Sequence, residues 1–128
     1  MSYYFSKKIK GSFAVVLERV TSSIKKEGFG ILTEIDVKET LKKKLDVEFQ
    51  KYIILGACNP PFAYKALLVE NKIGTMLPCN VIVQEKEDGE VEVAAVDPVA
   101  SMKAVDNSEL LEIAKQIQEK LKNVVMSL

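Results

Sequence analysis

The sequence predicts an α+β protein: one sheet, with helices packed mainly on one of its faces. Three observations carry that expectation. Segments of strand-like patterning alternate with segments of helical spacing, in the order β-α-β-α-β-α-β-β-α. Each long helical segment has a single apolar stripe, enough to cover a sheet from one side. An Asp-Gly turn at 88–89 joins two β-branched runs as a hairpin, so part of the sheet is antiparallel.

Residues 2–9, SYYFSKKI, are rich in aromatics and read as the first strand. Gly11 and Ser12 open a helix whose stripe is Phe13, Val16, Leu17, Val20 and Ile24. Gly28 suits a left-handed residue just past its end, and Lys25 and Lys26 complement the negative end of its dipole. In FGILTEIDV, Phe29, Ile31, Thr33, Ile35 and Val37 alternate with other residues, so this strand is expected to lay that whole set on the core.

Asp36 and Glu39 make a capping-box pair for a short helix, with Val37, Leu41 and Leu45 inward and lysines outward. Those lysines suit an anion patch or, more plainly, a solvated face. KYIILGAC is a continuous apolar run, the most buried-looking strand. A helix follows from about Pro60 to Asn71, with Asn59 as its N-cap and Pro60 and Pro61 in the first turn. After Gly74 come the hairpin strands CNVIVQEK and VEVAAV, then DPVASMKAV as a loop or ragged edge. Asp106 and Glu109 suggest a second capping box, with Val105 and Leu110 as a hydrophobic staple. Leu110, Ile113, Ala114, Ile117, Leu121 and Val124 form the stripe of the last helix.

A chain of 128 residues, 48% of them hydrophobic, suits one domain, 1–128, with an ordinary core. No repeat, low-complexity segment or linker divides it. Positive and negative side chains balance at 18 each, unlike a general nucleic-acid binder, so no nucleic-acid partner is expected. Arg19 is the single arginine, which disfavours forked phosphate or carboxylate clamps. The absence of His excludes Ser-His-Asp and Cys-His mechanisms within one chain. The N-terminus lacks signal-peptide patterning, and no apolar run nears the roughly 18 residues of a membrane helix. A cytoplasmic protein with no membrane partner is the expectation. Two cysteines make no disulfide scaffold.

FGILTEIDVKETLKKKL, YIILGACNPPFAYKAL, IGTMLPCNVIVQE and VAAVDP together resemble the family of the domain of unknown function 302, from about Phe5 to Leu121. The resemblance implies a fold like that of the TATA-box-binding protein, with a curved, mainly antiparallel sheet under helices. It implies no activity. The family pattern often has His after Ala63, where this chain has Tyr64, so no imidazole metal site carries over.

Both cysteines stand at strand–loop junctions, Cys58 before Asn59-Pro60 and Cys79 between Pro78 and Asn80. Twenty residues separate them, enough for a helix out and a loop back to one rim, whereas a crossover between parallel strands would put Cys79 at the far edge. The candidate site is therefore the rim of Cys58, Asn59, Pro60, Cys79 and Asn80. If the thiols meet, a reversible disulfide, a two-thiolate site for a soft ion, or an anion pocket at the helix N-terminus is open. The bland alternative is plain packing of two small hydrophobes. Met76 and Met102 suit thioether ligands or, more simply, core filling. Tyr3, Tyr4 and Phe5 suit base stacking or, more simply, a sheet or dimer contact.

Three functional readings follow. The first is a ligand- or partner-binding module that self-associates as a homodimer, without cofactor or resident metal. The second is a thiol-redox or soft-metal protein using Cys58 and Cys79. The third, weakest, is an enzyme using Glu34, Asp36, Glu70 or Asp97, which fall in no recognisable catalytic spacing.

Overall fold

The computed structural model describes residues 2–128. Its strands are β1 (Tyr4–Ile9), β2 (Gly30–Asp36), β3 (Tyr52–Cys58), β4 (Cys79–Glu85) and β5 (Val91–Val96). Its helices are α1 (Phe13–Lys26), α2 (Val37–Leu45), α3 (Pro60–Val69), α4 (Pro98–Ser101) and α5 (Ser108–Met126), with a three-ten turn at Ile73–Met76. The expected order holds, with the three-ten turn and α4 added. The α4 turn replaces the loop expected after β5, because Asp97 Oδ1 accepts from the Val99 and Ala100 amides at 3.0 and 3.4 Å.

The sheet is open, five-stranded and antiparallel throughout, in the order β1-β5-β4-β3-β2. β3 and β4 are neighbours, so α3 carries the chain out and residues 70–78 bring it back to the same rim. Alternate residues of the central strands (Leu55, Val81, Val83, Val93 and Ala95) meet Val16, Val20 and Ile24 of α1 and Leu121, Val124 and Val125 of α5. A second cluster, Ala66, Ile73, Met102, Leu110 and Ala114, lies between α3 and α5.

Two expectations about buried faces fail. The pairing of β2 slips between Ile31 and Thr33. Ile31 opposes Ala57 on the core face, but Thr33 and Ile35 oppose Gly56 and Ile54 on the other. A one-residue bulge inverts every later side chain, which leaves Ile35 47% exposed. The bulge needs Gly56: a Cβ there would run into Thr33 Oγ1 and lie 2.7 Å from Pro78 Cγ. Likewise α2 buries none of its residues, and Leu45 is exposed. Its N-cap is as expected, with Asp36 Oδ1 accepting from the Glu39 amide at 3.0 Å. Glu39 does not complete the box; its carboxylate pairs with Lys43 at 2.9 Å.

The cap of α5 is also shifted. Asn107, not Asp106, occupies it, and its Oδ1 accepts from the amides of Glu109 and Leu110, both at 3.1 Å. Its Nδ2 meanwhile donates to Val69 O at 2.8 Å and to Glu70 Oε1 at 3.4 Å. A carboxylate offers acceptors only, so aspartate could not tie the end of α3 to the start of α5 in this way. The 105/110 staple loses its register with the cap, although both residues still pack in the second cluster.

Candidate functional site

The two hydrophobic clusters do not close on each other. Between them lies a cavity of about 240 Å³. Ala57, Cys58 and Asn59 at the end of β3 form one wall, and Leu77, Pro78 and Cys79 leading into β4 form the next. Phe62, Ala63 and Ala66 of α3 face Leu110, Ile113, Ala114 and Ile117 of α5 across it. Phe29, Leu32, Pro98 and Met102 complete the lining, which contains no charged residue and is almost wholly carbon and sulfur. The cause lies in the facing positions. Ala63 and Ala66 oppose Ala114, and three methyls leave unfilled the volume that leucines would occupy.

Cys79 opposes Ala57 in the β3–β4 ladder, so Cys58 is one residue along from it. Both thiols are free, Cys79 buried and Cys58 half-buried. Burial pushes the Cys79 thiol up from 9.0 to about 11, and Cys58 beside it adds to the rise. A dry wall favours the uncharged thiol.

Of the five residues expected at this rim, Cys58, Asn59 and Cys79 border the cavity. Pro60 is exposed at the start of α3 and lies off the wall. Asn80 borders the groove on the opposite face of the sheet. Asn59 holds the N-cap position of α3 without a side-chain cap bond. It is only 9% exposed, yet among the described residues no fully buried side-chain N or O lacks a partner. Its Nδ2 lies over Gly28, 3.3 Å from where a Cβ would stand, and the φ of +88° there suits glycine.

The expected hollow of free helix amides is not built. Pro60 and Pro61 have no N–H, and the Ala63 amide donates to Asn59 O at 2.9 Å, leaving the Phe62 amide in the first turn.

The other sequence candidates are dispersed. Met102 borders the cavity, whereas Met76 is exposed on the three-ten turn. Asp36 and Asp97 cap α2 and α4, and Asp97 also accepts from Gln118 Nε2 at 3.0 Å. Glu70 is tied to Asn107, and Glu34 is exposed in β2. None of the four acids borders the cavity. Among the described residues, no three His, Cys, Asp or Glu side chains gather as a metal-ligand group, and no helix is long and apolar enough to cross a membrane. Phe62, Ala63, Ala66 and Ala114 border the cavity although the sequence reading took none of them as a site residue, Ala114 entering it only as part of the α5 stripe. Their available signal was the run of small residues at helical spacing.

The fold is that of a small α+β domain with an open antiparallel sheet. A family model for the domain of unknown function DUF302 matches residues 5–128, and the chain belongs to that family. It is similar throughout to the crystal structure of an uncharacterized conserved DUF302 protein from Bacillus stearothermophilus, with a TM-score of 0.91 and 27% identity over 98% of each chain. No curated protein matches the chain.

Proposed function

We propose that this chain is a binding module that holds a small, neutral, apolar ligand between α3, α5 and the β3–β4 end of the sheet, and that it self-associates. The cavity carries this reading. Apolar clefts with a few polar groups are the usual form of a small-molecule site. An apolar cavity of about 150 Å³ already binds benzene, and this one is larger, at about 240 Å³. A charged ligand would find no counter-charge on these walls. Asn59 offers a single uncharged donor and acceptor beside them.

The test is fluorescence titration with the neutral fluorophore N-phenyl-1-naphthylamine. The chain binds it with enhanced emission, and Ala114→Phe and Ala63→Phe, which each fill the cavity, weaken binding by about tenfold or more, equal to roughly 1.4 kcal/mol. Thermal melting shows whether each variant folds. No enhancement with the parent chain, or undiminished binding by folded variants, sinks the reading.

Self-association is supported by the sheet face away from α1 and α5. Tyr3, Tyr4, Tyr52 and Ile82, together with the polar Asn80, Gln84 and Glu92, border a groove of about 390 Å³ there. The rings of Tyr3 and Tyr4 meet edge to face at 5.0 Å.

One observation favours a thiol-redox or soft-metal role: Cys58 and Cys79 border the same cavity, with Cys79 opposite Ala57, the residue before Cys58. The raised pKa of Cys79 weighs against rapid thiol exchange, because the thiolate is the nucleophile. Binding therefore comes first.

A further inference from the structure

α3 is apolar on nearly every side, a composition that belongs to a buried helix. Yet Ala66 is its only buried residue. Phe62, Ala63 and Ala66 turn to the cavity. On the other side Tyr64 is 66% exposed, Leu67 43% and Leu68 67%. Their spacing of three and four puts them on one outer face. A Cβ on Gly74 would lie 4.0 Å from Leu67 Cδ2, so the three-ten turn, which also carries exposed Met76, packs beside this face.

The exposed charges of residues 60–76 are Lys65 and Lys72. The one acid of that stretch, Glu70, is half-buried and accepts from Asn107. Lys65 Nζ lies 5.5 Å from the centroid of the Phe62 ring, its stem along apolar surface and its charge at the edge.

We propose that the outer face of α3 docks on an anionic phospholipid surface, so that the cavity behind it loads its apolar ligand from the bilayer; the loading step rests on the cavity reading above. Size and charge select a lipid surface over a second copy. A helix of ten residues offers a face about 15 Å long and about 10 Å wide, far below the roughly 800 Å² per partner of a stable protein interface. Shallow insertion needs only one helix face with cations at its border. The expectation of no membrane partner rested on the missing membrane-spanning run, and peripheral docking needs none.

The experiment is flotation of the full chain with vesicles of phosphatidylcholine, alone and mixed with phosphatidylglycerol. The chain floats with the mixed vesicles and much less with the neutral ones. Leu68→Glu lowers the bound fraction about tenfold or more, and Lys65→Gln about fivefold. Leu68→Glu leaves N-phenyl-1-naphthylamine binding unchanged without vesicles, because Leu68 does not border the cavity. No flotation of the parent chain, or equal flotation of a folded Leu68→Glu variant, overturns the proposal. So does a mass in solution that falls on Leu68→Glu without vesicle binding, which assigns the face to a second copy. Flotation without fluorophore binding supports docking and overturns the loading step.

Discussion

Cys79 shows how one residue's surroundings set its chemistry. Its neighbours are carbon and another sulfur, so the folded chain holds the thiol protonated up to about pH 11, against 9.0 in an ordinary setting. Between those values the folded state binds more protons than the unfolded one. Stability contributed by this group is fully present below about pH 9 and is lost as pH rises towards about 11. Urea unfolding from pH 8 to 10.5 should show a downward slope that flattens in Cys79→Ala. Alkylation of the folded chain at pH 8 should modify half-buried Cys58 first and buried Cys79 only slowly. Equal labelling of the two thiols, or a variant with the same slope, would contradict this account.

At the scale of elements, α3 owes its placement to its partners rather than to its own sequence. Its far end is held by Asn107, which caps α5 through Oδ1 and holds the Val69 carbonyl through Nδ2. Loss of a cap costs about 1 kcal/mol and loss of the partly buried Nδ2–Val69 bond about 1 kcal/mol more. Asn107→Ala should therefore cost about 2 kcal/mol of unfolding free energy in urea. Asn107→Asp keeps the cap acceptor but sets a carboxylate against the Val69 carbonyl, so it should also destabilise. An Asn107→Ala variant as stable as the parent would show that the tie carries no weight.

The same element shows what the sequence could reveal. Helix and strand order was legible because hydrophobic periods are local. The return of Cys79 to the rim of Cys58 was only permitted by chain length, since a parallel crossover would have put it at the far edge; the antiparallel pairing of β3 with β4 decides it. The cap at Asn107 was hidden, since choosing it over Asp106 depends on a carbonyl 38 residues away. The bulge in β2 was hidden for a like reason. Alternation cannot announce the position where it breaks, and the break answers to Gly56 on the neighbouring strand.

For the whole molecule, the decisive asymmetry is between the two sheet faces. One is covered by α1 and α5. On the other, the bulge turns Ile35 outward beside Ile54, and burial pushes the Tyr52 phenol up, with Tyr3 and Glu92 near it adding to the rise. Five strands about 4.8 Å apart and about six residues long span roughly 24 by 20 Å, close to 500 Å². Two such faces together bury about 1,000 Å², at the weak end of specific interfaces. With a formal net charge of zero, two copies meet without net repulsion. The expected dimer is therefore reversible rather than obligate. Sedimentation across micromolar concentrations should show the mass rising towards twice 14.3 kDa. Ile82→Lys, which sets a charge in the groove, should keep the chain at single mass, while Leu68→Glu on the far side should leave the rise intact. A chain that stays at single mass at the highest concentration, or an Ile82→Lys variant that dimerises as before, would exclude this face as the contact. Because α3 and this groove lie on opposite sides of the sheet, a dimer formed here would leave both copies of α3 exposed.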